Sequence, residues 1–235
     1  MLVDARAKES LVNEPVPASE AKPIAPPSPA PAAAALEAPR FADPTALGLF
    51  GLAIGCAALL PIAFGMKSAM TVDALRTASW MCLLFGGGCQ FLAGLMSFAN
   101  KNMLGGTLLT TFSFNWVMNW WALDGLANGK QASSAIVLSV DICFLVIFFA
   151  MTYAFAFFAR VLVVFLLDID AIYMLRILRE VAHVNVGLPV AICTAILMLL
   201  AVYIGISLVL VSASGKALLP LGPPVLKGAG PAPAH

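Results

Sequence analysis

The residues able to do chemistry in this sequence are few, and most are set among apolar neighbours. Asp141, Asp168 and Asp170 fall inside apolar runs, where an ionised carboxylate costs about 2.5–3.5 kcal/mol at the centre of a membrane helix. A carboxylate kept there has two uses. It can carry a proton, if burial favours its neutral form, or it can pair with a cation or donor on another helix and fix assembly. Asp168 and Asp170 would point about 200° apart on a helix, so they cannot both face one cavity. Amides and hydroxyls form a second group. Gln90 stands on a stripe with Gly87, Gly94 and Ser97, and Thr111, Asn115 and Asn119 follow at four-residue steps. Such donors can replace the water around an anion, or they can bond one helix to another. Both readings are open from spacing alone. Trp116, Trp120 and Trp121 read as an interfacial belt, and His183 as a solvated loop residue.

Much chemistry is excluded. There is no phosphate-cradling loop, metal-ligand spacing or nucleophile–base constellation, so the chain is expected not to be an enzyme, and neither cofactor nor metal is implied. The five cysteines (Cys56, Cys82, Cys89, Cys143 and Cys193) lie in apolar stretches without CxxC spacing and read as packing residues. Of 235 residues, 61% are hydrophobic and only 11% charged, against about 25% charged in soluble domains. A soluble enzyme is therefore the first class to discard. A net charge of +1 offers no field for a polyphosphate backbone, so no nucleic-acid partner is expected.

The elements that must position these residues are membrane helices. The first forty residues hold eight of the sixteen prolines and eleven alanines, a composition that stays extended and buries nothing; residues 1–40 read as a disordered Pro/Ala-rich tail, and 213–235 as a flexible C-terminal tail. Between them, about 20 apolar residues are needed per span. Charge-free runs mark helix one between Asp43 and Lys67, helix two between Arg76 and Lys101, and helix three from Asn102 to Leu123. Helix four runs from Ser134 to about Phe157, helix five from Arg160 to Leu178 and helix six from Gly187 to Val211. The expected fold class is thus an all-α integral membrane protein whose domain, residues 41–212, has six transmembrane helices. Lys and Arg divide almost evenly between the two sides, with a weak excess favouring cytoplasmic termini. In helix one, Gly48, Gly51 and Gly55 share a face that permits close helix approach.

Taken in order, these residues resemble the acetate uptake transporter family, also called the YaaH family, which includes the bacterial succinate–acetate permease. The family opens helix one with Asn-Pro-Ala-Pro-Leu-Gly-Leu, where this chain has Asp43-Pro44-Thr45-Ala46-Leu47-Gly48-Leu49. The run from Phe85 through Gly86, Gly87, Gly88, Cys89, Gln90 and Phe91 to Leu95 is similar to its second helix, followed by Asn102, Gly105, Thr107, Thr110 and Trp116. The second half agrees mainly in length, in Ala159-Arg160-Val161-Leu162 and in Ala201-x-Tyr203.

The resemblance implies a hexamer in the lipid bilayer, in a bacterial inner (plasma) membrane, each subunit enclosing its own path for acetate or succinate with proton-coupled uptake. It implies a constriction at Leu52, Phe112 and Ile169, without the family's tyrosine hydroxyl, and an entry motif at Asp43, Pro44, Leu47, Gly48 and Leu49. Gln90, Asn115 and Asn119 are the expected donors along the path, with Ala201 beside it. Asp43 replaces an asparagine; as a carboxylate it caps a helix well but repels an anion arriving at the same amides. Ser97 stands where the permease has a glutamate. Asp141, Asp168 and Asp170, which the resemblance does not supply, are candidate proton carriers. The alternative is a structural or accessory membrane subunit that keeps the fold without carboxylate transport; a permease for another small solute is a third reading.

Overall fold

The computed structural model describes residues 40–228, so the expected N-terminal tail falls, but for Arg40, outside the described residues, as does the stretch after 228. Six long helices follow in chain order. They are α1 (Thr45–Ala63), α2 (Val72–Ala99), α3 (Met103–Ala127), α4 (Ser134–Phe155), α5 (Arg160–Ala182) and α6 (Gly187–Ser214). No strand occurs among the described residues. A short 3-10 turn, Lys67–Ala69, lies between α1 and α2.

The starts of the first three helices are held by side chains of the preceding residues. Asp43 Oδ1 accepts from the Thr45 amide at 2.9 Å and from the Thr45 hydroxyl at 2.6 Å. Thr71 Oγ1 accepts from the Ala74 amide and Asn102 Oδ1 from the Gly105 amide, each satisfying one of the donors a helix start leaves unpaired. Three helices extend beyond the charge-based boundaries. Helix α2 begins at Val72 and so includes Asp73 and Arg76, α3 runs past Asp124 to Ala127, and α5 continues through Arg179 and Glu180 to Ala182. Charges mark where hydrocarbon ends, and a helix can continue past that point.

Helices α1, α2, α4 and α6 are long and apolar enough to cross a membrane. Their outer faces are greasy: Ile136, Val146 and Leu199 are each more than 60% exposed, the reverse of a water-soluble surface. The chain is an integral membrane protein. Helices α3 and α5 fall short in apolarity; α3 carries Asn115, Asn119 and Asp124, and α5 carries two aspartates, Arg176, Arg179 and Glu180.

The glycine face of α1 is used inside the protomer. A Cβ on Gly51 would stand 2.5 Å from the Phe85 carbonyl oxygen, and one on Gly55 would stand 2.8 Å from the Trp116 ring. Opposite this face α2 widens into a π-helical segment, Cys82–Cys89, which contains the Gly86-Gly87-Gly88 run. Trp116 on α3 packs over Gly86 and Gly55 and is 2% exposed. It is a core residue; only Trp121, 58% exposed, matches the expected belt, while Trp120 packs on Trp80 at 6.5 Å between ring centroids.

After α6 the chain turns at Gly215, in the left-handed region, and crosses one end of the bundle. The Ser207 hydroxyl donates to the Leu219 carbonyl and the Tyr203 hydroxyl to that of Pro220, both at 2.8 Å. The Val161 and Arg160 amides donate to the carbonyls of Leu221 and Pro223, and the amides of Val225 and Leu226 to that of Ala156. Up to residue 226, the stretch expected as a flexible tail is thus tied at six points to α6 and the α4–α5 junction.

Candidate functional site

Among the described residues, cavities open inside the bundle, and two of them bear on the site. The smaller, about 220 Å³, is lined by the start of α1 (Asp43, Thr45, Leu49), the end of the π segment at Gln90, the start of α3, the ends of α4 and α6, and Leu221 of the C-terminal strap. The larger, about 530 Å³, is lined by the second half of α1, the second half of α3, the starts of α4 and α6 and the last turns of α5. Starts and ends of successive helices therefore alternate between the two cavities, and the chain runs up and down the bundle. Phe112 lines both. It stands between them, held edge-on against Phe148 at 5.2 Å and against Trp116 at 6.1 Å.

Around Phe112 the walls are apolar. Ile169 lines the larger cavity, and Leu52 and Ala201, both 0% exposed, belong to the core cluster that contains Phe112 and Ile169. Leu52 and Ala201 line neither cavity. The residues flanking Ile169 are anchored in opposite directions. Asp168 lies against the Cys193 thiol on α6, and Asp170 accepts a hydrogen bond from the Thr152 hydroxyl on α4 at 2.7 Å. The 200° divergence predicted for the pair thus leaves Ile169 clamped between two helices.

The expected donors divide between the cavities. Gln90, 1% exposed, lines the smaller one, and its Oε1 has no hydrogen-bond partner. Asn115 and Asn119 line the larger one, where the Asn119 amide donates to the Asn115 carbonyl at 3.0 Å. Thr111 lines neither. Of the entry motif, Asp43 and Leu49 line the smaller cavity, Pro44 and Gly48 are buried, and Leu47 is 39% exposed and faces away. With its carboxylate already engaged by Thr45, Asp43 takes up the amide of the first helical turn.

The larger cavity has a charged wall. Arg176 and Tyr173 line it, with the guanidinium carbon 5.5 Å from the centroid of the Tyr173 ring. Arg176 Nη2 lies 2.9 Å from Oδ1 of Asp141, which is 1% exposed. This ion pair uses one carboxylate oxygen, and Oδ2 of Asp141 is buried without a partner. Arg179, also on this wall, is paired with Glu180 at 2.9 Å. The sequence left open a cation partner on another helix for the buried aspartates, but it did not show that the Arg176–Asp141 pair borders a cavity. Reading α5 to the end of its helix, past Leu178, would have shown Tyr173, Arg176 and Glu180 at helical spacing on one face.

Fold and cavities together define a helical integral membrane protein whose interior holds two chambers separated by an aromatic side chain. Among solved structures, the fold is similar to that of the bacterial acetate channel SatP: TM-score 0.67 at 20% sequence identity, over 78% of this chain and all of that one. The chain therefore has the fold that its resemblance to the acetate uptake transporters implied. Among curated proteins, the glyoxylate pathway regulator of Yarrowia lipolytica (strain CLIB 122 / E 150) is 32% identical over 94 residues, 40% of this chain. The chain spans about a third of that relative's length. No protein-family model matches the sequence.

Proposed function

We propose that this chain is a six-crossing membrane channel or carrier of the acetate uptake transporter family, which moves acetate and related short carboxylates such as succinate, with uptake coupled to protons. The observation that carries the reading is Phe112, which separates chambers at opposite ends of a bundle with the acetate channel's fold. Six crossings fit the helix lengths. At about 1.5 Å per residue α3 and α5 exceed the roughly 30 Å of hydrocarbon, and their lower apolarity comes from side chains that line the larger chamber or meet partners inside the bundle. A monocarboxylate has one charged end that needs donors and one methyl end that tolerates apolar walls. Gln90 on one side and Asn115 and Asn119 on the other supply donors, and Leu52, Phe112 and Ile169 form the narrow part.

Asp141, Asp168 and Asp170 each find a partner within the chain, so none needs a partner subunit. This weighs against the accessory-subunit reading, in which these carboxylates hold another protein. Proton coupling would run through one of them. The same resemblance supports a homo-hexamer in a bacterial inner membrane, and the weak excess of Lys and Arg favours cytoplasmic termini.

The experiment is uptake of labelled acetate into vesicles containing only this protein, with and without an inward proton gradient. Uptake above protein-free vesicles, raised by the gradient and lowered by Asp168→Asn or Asp170→Asn, is expected. No uptake under either condition, with co-purification of a larger complex, would establish the accessory role instead.

A further inference from the structure

The larger chamber contains a charge arrangement that a simple apolar constriction with amide donors does not need. Arg176 faces a cavity of about 530 Å³. Its nearest carboxylate, Asp141, is buried behind the wall, does not line that cavity, and meets it through a single 2.9 Å contact. Beside it Tyr173, 1% exposed, carries a hydroxyl with no partner, an unusual state for a buried phenol. Tyr173 is held in place by stacking against Phe144 and Phe148 at 5.4 and 5.6 Å. The other charges and carboxylates nearby have their own partners: Arg179 with Glu180, Asp170 with Thr152, and Asp168 with Cys193.

We infer that Tyr173 and Arg176 form a carboxylate-docking subsite in the larger chamber, and that Asp141 is a built-in competitor that weakens it. The inference rests on the reading of the protein as a carboxylate channel and adds where the solute is held. A guanidinium presents five N–H donors in a planar fork that matches a carboxylate. One edge is turned toward Asp141, and the remaining donors, with the unpartnered phenol beside them, suit a carboxylate entering from the chamber. Asp141 engages the guanidinium through one contact, Nη2 to Oδ1, and its Oδ2 has no partner. A fork of five donors is not used up by one such contact, so a solute carboxylate can align with the donors left over while Asp141 competes with it for the charge. The competitor keeps the subsite from binding its solute so tightly that passage stops.

The test uses purified full chain in lipid nanodiscs, with acetate binding followed by saturation transfer to its methyl group and by calorimetry, alongside vesicle uptake. Arg176→Gln is expected to weaken acetate binding about tenfold, the size of one charge-assisted hydrogen bond. Tyr173→Phe should weaken it by less, and Arg176→Lys should restore part of it. Asp141→Asn should do the opposite, tightening binding while slowing uptake at saturating acetate. The double variant D141N/R176Q should bind like R176Q. If Asp141→Asn weakens binding as Arg176→Gln does, with a matching fall in melting temperature, the pair is only structural and the subsite is overturned. It is overturned as well if none of the variants changes binding while the wild type transports acetate. Arg176-dependent binding of acetate without any uptake would leave the subsite standing and sink the transport reading. Neither binding nor uptake by the wild type would overturn both.

Discussion

Phe112 is the residue on which the solute path depends. It touches both chambers, and its position is set by edge-on contact with Phe148 and Trp116. Phe112→Ala should join the chambers, so that vesicles take up acetate faster and also admit benzoate, which the wild type is expected to exclude. The cost is about 3–5 kcal/mol of stability for a phenylalanine removed from a packed core, which unfolding of the variant would show. Slower acetate uptake with unchanged exclusion would mean that Phe112 only fills space. At this scale much was legible in advance. Gln90 was legible as a lone amide on a small-residue stripe, while Phe112 and Ile169 came only from the family resemblance; each of the three lines a chamber. The partners of Asp168 and Asp170 were not legible: Cys193 and Thr152 lie on helices whose rotation no spacing reveals. Trp116 was misread for a similar reason. Three clustered tryptophans look alike in sequence, and the recess that swallows one is made by Gly55 and Gly86 on two other helices.

At the scale of elements, the glycines of α1 and α2 determine how closely the first three helices approach. Gly51→Ala would push a methyl group against the Phe85 carbonyl oxygen and the Cys89 Cβ at 2.5 Å. Backbone at that distance cannot yield without moving the π segment. Unfolding in detergent should show a loss of about 1–3 kcal/mol, the usual cost of overpacking, with acetate uptake reduced as Gln90 shifts. Gly88→Ala is the control, since its nearest contact would be the Leu83 carbonyl at 3.6 Å. That variant should be neutral or stabilised by up to about 1 kcal/mol through helix propensity. Equal effects at the two sites would refute the close-approach account. The spans themselves were readable from charge-free runs, because hydrocarbon tolerates few charges. Their ends at Val72 and Ala182 were not, because helix formation and burial in lipid end at different places. The π segment left no distinct mark: its three glycines read equally as a packing face.

At the scale of the molecule, the glycines Gly48, Gly51 and Gly55 are consumed inside the protomer, so a homo-oligomer would have to form through other, larger side chains. Helix α4 offers such a surface. It packs on α5 and leaves Ile136, Val146, Phe149 and Tyr153 exposed. Light scattering from protein extracted in mild detergent should give the mass of a hexamer, and Val146→Trp should reduce it to smaller species. A hexamer unchanged by that bulky substitution would place the interface elsewhere. The C-terminal strap has a different consequence, which concerns time. Leu221 is part of the wall of the smaller chamber, and its neighbours close the gap between α6 and the α4–α5 junction. These residues are synthesised after every helix. During insertion, then, the chamber near α1 stays unfinished while the other can already be complete, and the two ends of the path mature in a fixed order.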